Sequence, residues 1–228
     1  MKSFTQKTIG LLVSLFTTGI TVHAQQIGEI YQGGYIFQIN EDGTGLVAAM
    51  ENLEGTYEWG CYGEIVNGAD GQAIGTGHQN TLDIVNQGCT TESGGVTAAQ
   101  AALDAEINGY GDWYLPSKDE LKEIYNTIGI GGSDGNIGGF DISFYWSSTE
   151  YFNNFTAWFV SFTDGYTGYY NGLLTLKNNT YSVRVIRSVT FGEEMVLTEC
   201  GPDEYESMAP TSSTDRECSA LSICSARI

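Results

Sequence analysis

Proton transfer in enzymes is most often carried by histidine, and this sequence holds two, His23 and His78. His23 falls in an N-terminal segment with the features of an export signal, so His78 is the candidate for the mature protein. It lies in a Gly-rich loop, residues 67–79, where no cysteine or serine adjoins it. The loop resembles a phosphate cradle only superficially, because no lysine follows and no strand-to-helix context supports one. A Ser-His-Asp arrangement stays open, since triads are recognised by geometry, but we interpret His78 as an exposed loop residue.

Acidic side chains are abundant, with 28 Asp and Glu against nine Lys and Arg. Paired carboxylates could serve glycoside hydrolysis, but at this abundance pairs arise by chance, and none falls in a recognisable motif. Asp164 or Glu150 could assist a calcium ion, although the chain carries no calcium-loop motif. We therefore predict a protein that is not an enzyme, with no metal site and no cofactor, calcium being the one ion kept open.

Ligand-binding chemistry has better material late in the chain. The segments EYFNNF (150–155) and GYTGYYNG (165–172) are rich in turn residues and lack strand alternation, so their aromatic side chains are poor core residues. Tyr combined with Asn, Ser and Gly is the composition of binding loops. Ring faces stack on sugars or pack on protein, while Asn amides both donate and accept hydrogen bonds. The predicted ligand-binding residues are Tyr151, Phe152, Asn153, Asn154, Tyr166, Tyr169, Tyr170 and Asn171.

Residues 1–24 are predicted to be a signal peptide. Lys2 and Lys7 accompany a short apolar run, and VHA ends at Ala24 as a small-residue cleavage site. The run is shorter than the ~20 apolar residues of a membrane span, and no second run follows, so no span is predicted in the mature chain.

Without residues 1–24, seven basic and 28 acidic side chains remain, which gives a formal charge of −21. Such a surface repels phosphate and argues against nucleic-acid binding. We expect a secreted or cell-surface protein.

Export favours disulfide formation. Cys61 and Cys89 are the only cysteines between residues 25 and 190, so we predict that they pair. The composition changes near residue 190, and we treat 191–228 as a separate segment. Its three cysteines, Cys200, Cys218 and Cys224, are an odd number, which leaves one thiol without a partner in this chain.

The order of elements predicts an α+β fold. Strand-like stretches at 29–39 and 45–50 precede helical patterns at 81–87 and 96–107, and strands return after residue 140. In the strand AWFVSF, alternation predicts Trp158 in the core, and YSVRVIRS is predicted to be the closing strand. In GDWYLPSKDELKEIYN (111–126), Pro116 favours an extended Leu115, and Ser117 with Glu120 forms a capping box that starts a helix. We expect buried arginines in the closing strand to pair with acids of the domain. The residues given structural roles are Trp113, Leu115, Pro116, Ser117, Glu120, Trp146, Trp158, Arg184 and Arg187.

Four motifs in order resemble those of one exported bacterial domain family: GDWYLPSKDEL, YWSSTEY, AWFVSFTDG and YSVRVIRS. This is the family typified by the C-terminal domain of the collagen-like adhesin Lcl. The resemblance implies the C-type-lectin-like fold of the formylglycine-generating enzymes over residues 25–190, with two helices, small twisted antiparallel sheets and long loops. Those enzymes hold copper with a pair of cysteines, and residues 140–188 contain no cysteine.

The tail resembles a different family. CGPDEYESMAPTSSTDREC (200–218) is similar to the start of a cysteine-rich repeat of the tumour-necrosis-factor-receptor type, which implies a Cys200–Cys218 pair.

From the aromatic loops and the family resemblance together, we expect a binding or adhesion module that recognises a glycan or a cell-surface protein. The sulfated glycosaminoglycans associated with the adhesin suit a basic surface, and we do not carry them over to this acidic chain. A formylglycine-generating-like or hydrolytic enzyme and a structural matrix component without a small ligand are the alternatives.

Overall fold

Short strands and three helices make up the parts of the chain that the structure describes. The computed structural model covers residues 25–167, 175–192, 204–208 and 217–220. The helices are α1 (Gly77–Asn86), α2 (Ala98–Leu103) and α3 (Lys118–Thr127). The strands are β1 (Ile30–Tyr31), β2 (Gly34–Ile39), β3 (Thr44–Ala49), β4 (Tyr57–Glu58), β5 (Phe144–Glu150), β6 (Ala157–Ser161), β7 (Thr180–Tyr181), β8 (Ile186–Thr190), β9 (Glu204–Met208) and β10 (Glu217–Ala220).

The chain divides into two compact units, of which Gln25–Glu193 is one. Its main sheet has the order β1-β2-β3-β8, and two further pairs, β4–β7 and β5–β6, are separate sheets. Every pairing within these sheets is antiparallel. In the other unit, β9 and β10 form an antiparallel hairpin. The expected signal peptide lies outside the described residues, and so does Cys200 of the expected Cys200–Cys218 pair. None of the helices described is both long and apolar enough to cross a membrane.

Two hydrophobic cores lie on opposite faces of the strands. Successive strand residues point to opposite faces, so Val47 and Ala49 of β3 enter one core while Leu46 and Ala48 enter the other. Helices α1 and α2 contribute to the first core and α3 to the second. The extended stretch before Pro116 alternates in the same way, with Trp113 and Leu115 in the first core and Tyr114 in the second. This mixed fold agrees with the predicted α+β class.

The helices differ from the expectation in number and in bounds. Three helices are described where the resemblance implied two. Helix α1 begins at Gly77, inside the predicted Gly-rich loop, so His78 lies on a helix and not in a loop. Helix α2 is shorter than the predicted 96–107 because the chain turns after Leu103, where Ile107 and Tyr110 exchange backbone hydrogen bonds.

The junction at Ser117 contains the predicted capping box. The side chain of Ser117 accepts a hydrogen bond from the backbone of Glu120, and Oε2 of Glu120 accepts one from the Ser117 N–H at 2.7 Å. Oε1 of Glu120 accepts from the Gly75 N–H at 2.8 Å. Burial raises the pKa of the Glu120 carboxyl, while these hydrogen bonds oppose the shift. One buried carboxyl therefore connects the first turn of α3 to the segment that enters α1.

The closing motif YSVRVIRS is not the single strand that alternation predicted. β7 ends at Tyr181, and β8 begins only at Ile186. Between them, the carbonyls of Val183 and Val185 accept backbone N–H groups from Leu53 and from the end of β3. Both valines are buried, so the side-chain alternation continues through a segment that is not strand.

Both arginines of the closing motif are buried. Arg187 donates to both carboxylate oxygens of Asp112, at 2.6 and 2.9 Å, and this pair holds the pKa of Asp112 below its usual value. Arg184 instead donates to Asn52 and to two backbone carbonyls, and its guanidinium lies 4.0 Å from the centre of the Phe140 ring. The side chain that pairs with Arg184 is therefore the amide of Asn52 and not the expected acid. Burial lowers the pKa of Arg184 to about 10.

The predicted disulfide between Cys61 and Cys89 is present, which confirms that pairing. It joins the loop after β4 to the chain just beyond α1. The Cys61 N–H also donates to the Thr90 carbonyl at 3.1 Å. The covalent bond and the hydrogen bond together fix a loop of 61–65 that borders the site described below.

Gly77→Ala tests the close approach between α1 and the capping box. A Cβ at Gly77 would meet the Glu120 carboxylate, the Ser117 nitrogen and the Leu115 carbonyl oxygen. Because two of these are backbone atoms that cannot swing aside, we expect a loss of about 1–3 kcal/mol in the free energy of unfolding. Gly95→Ala is the control, since a Cβ there meets no atom within 4 Å. Urea unfolding measures both variants, and equal stabilities would contradict the proposed contact.

Candidate ligand-binding site

A surface pocket of about 250 Å³ lies between the Gly-rich segment after residue 64 and the end of β5. We call it the loop pocket. It is lined by Ile65, Asp70, Gln72, Glu150, Tyr151, Phe152 and Asn153. Three of these seven residues are predicted ligand-binding residues, and they come from one connection, residues 151–156, which we call the aromatic loop.

The aromatic loop joins β5 to β6 and is held by its own polar groups. The Tyr151 N–H donates to the Thr156 carbonyl at 2.9 Å. Oδ1 of Asn153 accepts from the Phe155 N–H at 2.8 Å and from the Thr156 hydroxyl at 3.0 Å. An Asn side chain that bonds the backbone two residues ahead is a common way to form a turn. Asn153, the first Asn of NNF, therefore holds this turn and also lines the pocket.

The Gly-rich segment forms the other wall of the loop pocket, and hydrogen bonds join it to the end of β5. The Glu150 N–H donates to the Ala69 carbonyl at 2.6 Å, and the Val66 N–H donates to Oε1 of Glu150 at 3.0 Å. Farther along, Asn154 and Gly63 exchange two hydrogen bonds, each of 2.9 Å. These bonds place Asp70 and Gln72 opposite a loop that lies about eighty residues later in the sequence.

A buried lysine supports the base of this arrangement. The side chain of Lys177 is fully buried, and its Nζ donates to Oε1 of Glu150 at 2.5 Å and to the backbone carbonyls of Glu64 and Cys61 at 2.7 and 3.4 Å. The ammonium group also lies 4.7 Å from the centre of the Trp59 ring. Burial lowers the pKa of Lys177, and the hydrogen bond to Glu150 opposes that shift. The buried ammonium group of Lys177 therefore fixes the position of Glu150, which lines the pocket.

Aromatic rings form one side of the pocket. Phe152 is 82% exposed, an unusual position for a large apolar side chain. Tyr151 is half-buried, and its ring centre lies 4.7 Å from that of Phe152 and 4.6 Å from that of Trp158. Nζ of Lys118 lies 5.0 Å from the centre of the Trp158 ring. Phe152 thus extends a packed aromatic group into solvent.

Trp158 was expected in the core, and its position corrects that expectation. It is half-buried next to the aromatic loop, whereas Trp113 and Trp146 are fully buried in the first core. Its indole N–H is shielded from solvent and donates to no atom of the described residues. In β6 the core positions belong to Ala157, Phe159 and Val160. Trp158 therefore supports the aromatic loop.

The remaining predicted ligand residues do not gather at the loop pocket. Asn154 is half-buried and engaged with Gly63, and Tyr166 is exposed in the turn after β6 without lining this pocket. The N–H of Tyr166 donates to Asp164, one of the two acids considered for calcium. The other predicted ligand residues, Tyr169, Tyr170 and Asn171, lie outside the described residues. Over the described ranges, no group of three or more His, Cys, Asp or Glu is placed to hold a metal.

His78 lies elsewhere on the domain. Its side chain is exposed near the start of α1, with its ring centre 5.1 Å from that of Tyr114. Tyr114 is buried, its hydroxyl lies 3.1 Å from that of Ser188, and burial raises its pKa. His78 does not line the loop pocket.

Sequence reasoning missed the wall formed by Ile65, Asp70 and Gln72, and it missed Lys177. The Gly-rich segment was interpreted only as a loop, because nothing local indicates what it faces. Lys177 did carry a weak signal, since it is one of only seven basic residues after the signal segment and directly follows the largely apolar stretch LLTL. Such a lysine needs a partner when it is buried, but the sequence does not identify Glu150 as that partner.

Comparison with known families gives one match. The sequence profile of the Lcl C-terminal domain matches residues 66–187, more than half of the chain. The matched range contains all three helices, the aromatic loop, Lys177 and every residue of the loop pocket except Ile65. No curated protein sequence matches the chain significantly.

Lys177→Met tests whether the ammonium group supports the site. Removing it leaves the Glu150 carboxylate almost buried without its counter-charge, so we expect the free energy of unfolding to fall by about 3–5 kcal/mol. Lys177→Met combined with Glu150→Gln should recover part of that loss, because the uncompensated charge is gone. Lys122→Met is the control, as its ammonium group makes one described hydrogen bond, to the Gly165 carbonyl, and should cost about 0.5–1.5 kcal/mol. Similar urea midpoints for Lys177→Met and Lys122→Met would contradict this role.

Proposed function

Because the chain belongs to the Lcl C-terminal domain family, we propose that it is a secreted or cell-surface adhesion module that binds a glycan or a protein ligand without catalysis. The observation that carries this proposal is the loop pocket, where the exposed ring of Phe152 adjoins Asp70, Gln72 and Asn153. An exposed aromatic side chain next to a few convergent polar groups is the usual composition of a recognition site. The family match, the disulfide and the predicted signal peptide agree with a role outside the cytoplasm.

The fold supports the same proposal. We assign residues 25–190 to the C-type-lectin-like class, in which small sheets and helices carry long loops that form the binding face. The short antiparallel sheets and the long connections between β4 and β5 favour this assignment. Fold alone does not give function, so binding is inferred from the composition of the pocket.

The chemistry of the pocket favours binding over hydrolysis. Its two carboxylates, Asp70 and Glu150, could be considered an acid–base pair for glycoside hydrolysis. However, Oε1 of Glu150 is held by the Lys177 ammonium group and by the Val66 N–H, and a carboxylate fixed in this way favours a binding role. The residues that line the pocket include no serine, cysteine, histidine or lysine as a nucleophile or base.

A purely structural matrix component is the second alternative. It would need no exposed aromatic side chain beside unpaired polar groups, and it would gain nothing from the arrangement of the loop pocket. Large apolar side chains that are exposed in clusters generally mark interaction sites. Ile65, Phe152 and Phe155 are 61%, 82% and 43% exposed, and all three lie in or next to the two loops that border the pocket.

Phe152→Ala tests the proposed site. Binding of the exported chain to a glycan array and to cell surfaces should weaken about three- to tenfold, because one aromatic contact contributes roughly 0.5–1.5 kcal/mol. Thermal stability should change little, since the side chain is mostly exposed. Ile142→Ala is the matched control, being 76% exposed and absent from the pocket.

Three other results of these assays would contradict the proposed function. Unchanged binding of Phe152→Ala, or equal losses for both variants, would refute the loop pocket as the site. Turnover of fluorogenic glycosides that disappears in Glu150→Gln would favour the hydrolase. The absence of any ligand in either assay would favour the matrix component.

A further inference from the structure

The two amide side chains in the loop pocket have fixed orientations. Oδ1 of Asn153 accepts the two hydrogen bonds within the aromatic loop, so its Nδ2 is the atom left for a ligand. Oε1 of Gln72 accepts from Nζ of Lys118 at 2.5 Å, which leaves Nε2 in the same role. An amide whose oxygen is held by protein donors can offer only its N–H groups. The pocket therefore presents two amide donors whose orientation does not depend on the ligand.

The two carboxylates in the same pocket provide acceptors. Oε1 of Glu150 is taken by Lys177 and by the Val66 N–H, while Oε2 accepts none of the hydrogen bonds found among the described residues. Asp70 is exposed, and within the described part of the chain its carboxylate has no hydrogen-bonding or ionic partner. Donors and acceptors thus line one pocket from both of its walls.

A hydroxyl group is the ligand group that uses both kinds of partner, since it donates one hydrogen bond and accepts others. An ammonium group would use Asp70 and Glu150 but leave the amide donors unpaired. A sulfate or carboxylate would use the donors but meet the negative charge of Asp70, which has no basic partner among the described residues. Resting on the proposed function, we propose that the loop pocket recognises a neutral hexopyranose through adjacent hydroxyl groups, each placed between an amide donor and a carboxylate acceptor.

The size and the rings of the pocket fit a single sugar ring. Its volume of about 250 Å³ is below the roughly 300–1,000 Å³ typical of sites for drug-sized ligands. The exposed ring of Phe152 gives the apolar C–H face of a pyranose a surface to pack on. The hydroxyl edge of the same sugar can then face the amides and the carboxylates.

Recognition by this pocket needs no metal ion. A divalent cation in a protein site takes oxygen ligands from carboxylates and backbone carbonyls. Beneath the pocket, the Lys177 ammonium group already lies among such oxygens, from Glu150, Glu64 and Cys61. Lys177 therefore neutralises Glu150 and holds its free oxygen in place, and binding should be unaffected by EDTA.

The test titrates the full exported chain with sugars in buffer that contains EDTA. The probes are the methyl α- and β-hexopyranosides of glucose, galactose and mannose, with glucosamine as the ammonium comparator, glucuronate as the anionic one and a lysine-rich peptide as the protein-like one. Saturation-transfer NMR reports contact, and titration of amide signals gives Kd. We expect at least one neutral hexoside to bind more tightly than its charged relatives and to lose about tenfold in affinity when either of two adjacent hydroxyls is removed.

Variants that exchange donors and acceptors locate the binding. Asn153→Asp keeps Oδ1 for the aromatic loop and replaces the Nδ2 donor by an acceptor, so binding should fall about tenfold or more at unchanged thermal stability. Gln72→Glu makes the same exchange on the other wall and covers the case in which the first variant is destabilised. Asp134→Asn is the matched control, as this exposed acid does not line the pocket, and its Kd should equal that of the unaltered chain.

The outcomes separate this inference from the proposed function. If no neutral hexoside binds at its highest soluble concentration, if a charged probe binds more tightly, or if EDTA abolishes binding, the inference is wrong. In each of these cases the proposed function survives as long as Phe152→Ala still weakens adhesion. If Phe152→Ala leaves adhesion unchanged while a neutral hexoside binds elsewhere, both fail.

Discussion

The positive charge of Lys177 is buried, and the structure around the candidate site is arranged to compensate it. Its Nζ reaches oxygens of Cys61, Glu64 and Glu150, which belong to the disulfide-bonded loop and to the end of β5. Its backbone is engaged as well, since its N–H donates to the Phe155 carbonyl and its carbonyl accepts from the Trp59 N–H, both at 2.9 Å. A buried ion is costly unless it is paired and hydrogen-bonded. The need to satisfy this one group therefore brings together segments that are far apart in sequence.

The position of the loop pocket follows from that constraint. Glu150 is held by Lys177 from below and by Val66 and Ala69 from the side. The Gly-rich segment is consequently bound against the aromatic loop, and the disulfide fixes the loop that supplies two of the carbonyls. A site whose polar groups are already oriented loses less conformational entropy when it binds a ligand. In the proposed function, the same contacts that stabilise the domain therefore also orient the pocket for its ligand.

Local features of the sequence predicted local structure well. Ser117 and Glu120 are three residues apart, and this spacing is itself the capping box, so no tertiary information was needed. The exposed position of Phe152 followed from the lack of alternation in its segment. The closing strand was predicted less well, because Val183 and Val185 keep a strand-like alternation while their carbonyls bond to Leu53 and the end of β3. Side-chain periodicity reports burial, and it does not report where the backbone hydrogen bonds go.

Half of the site could not be derived from sequence, for a related reason. Asp70 and Gln72 have no local pattern that distinguishes them from other polar loop residues, and only the contacts of Ala69 and Val66 with Glu150 bring them to the aromatic loop. The predicted core position of Trp158 failed because strand alternation does not show which face is covered by a second layer. Pairing between distant segments depends on the whole fold, whereas capping and turns depend on a few neighbours.

Charge limits the ligands that the loop pocket can accept. The family match covers all three helices, Lys177 and every pocket residue except Ile65. In the proposed function the ligand is selected by the few side chains on the loops, and two of them are carboxylates on a surface that carries a large negative charge. An anionic ligand would approach against that field and then meet Asp70 and Glu150. The oriented amides of Gln72 and Asn153 still require an acceptor, and a neutral hydroxyl group provides one without adding charge.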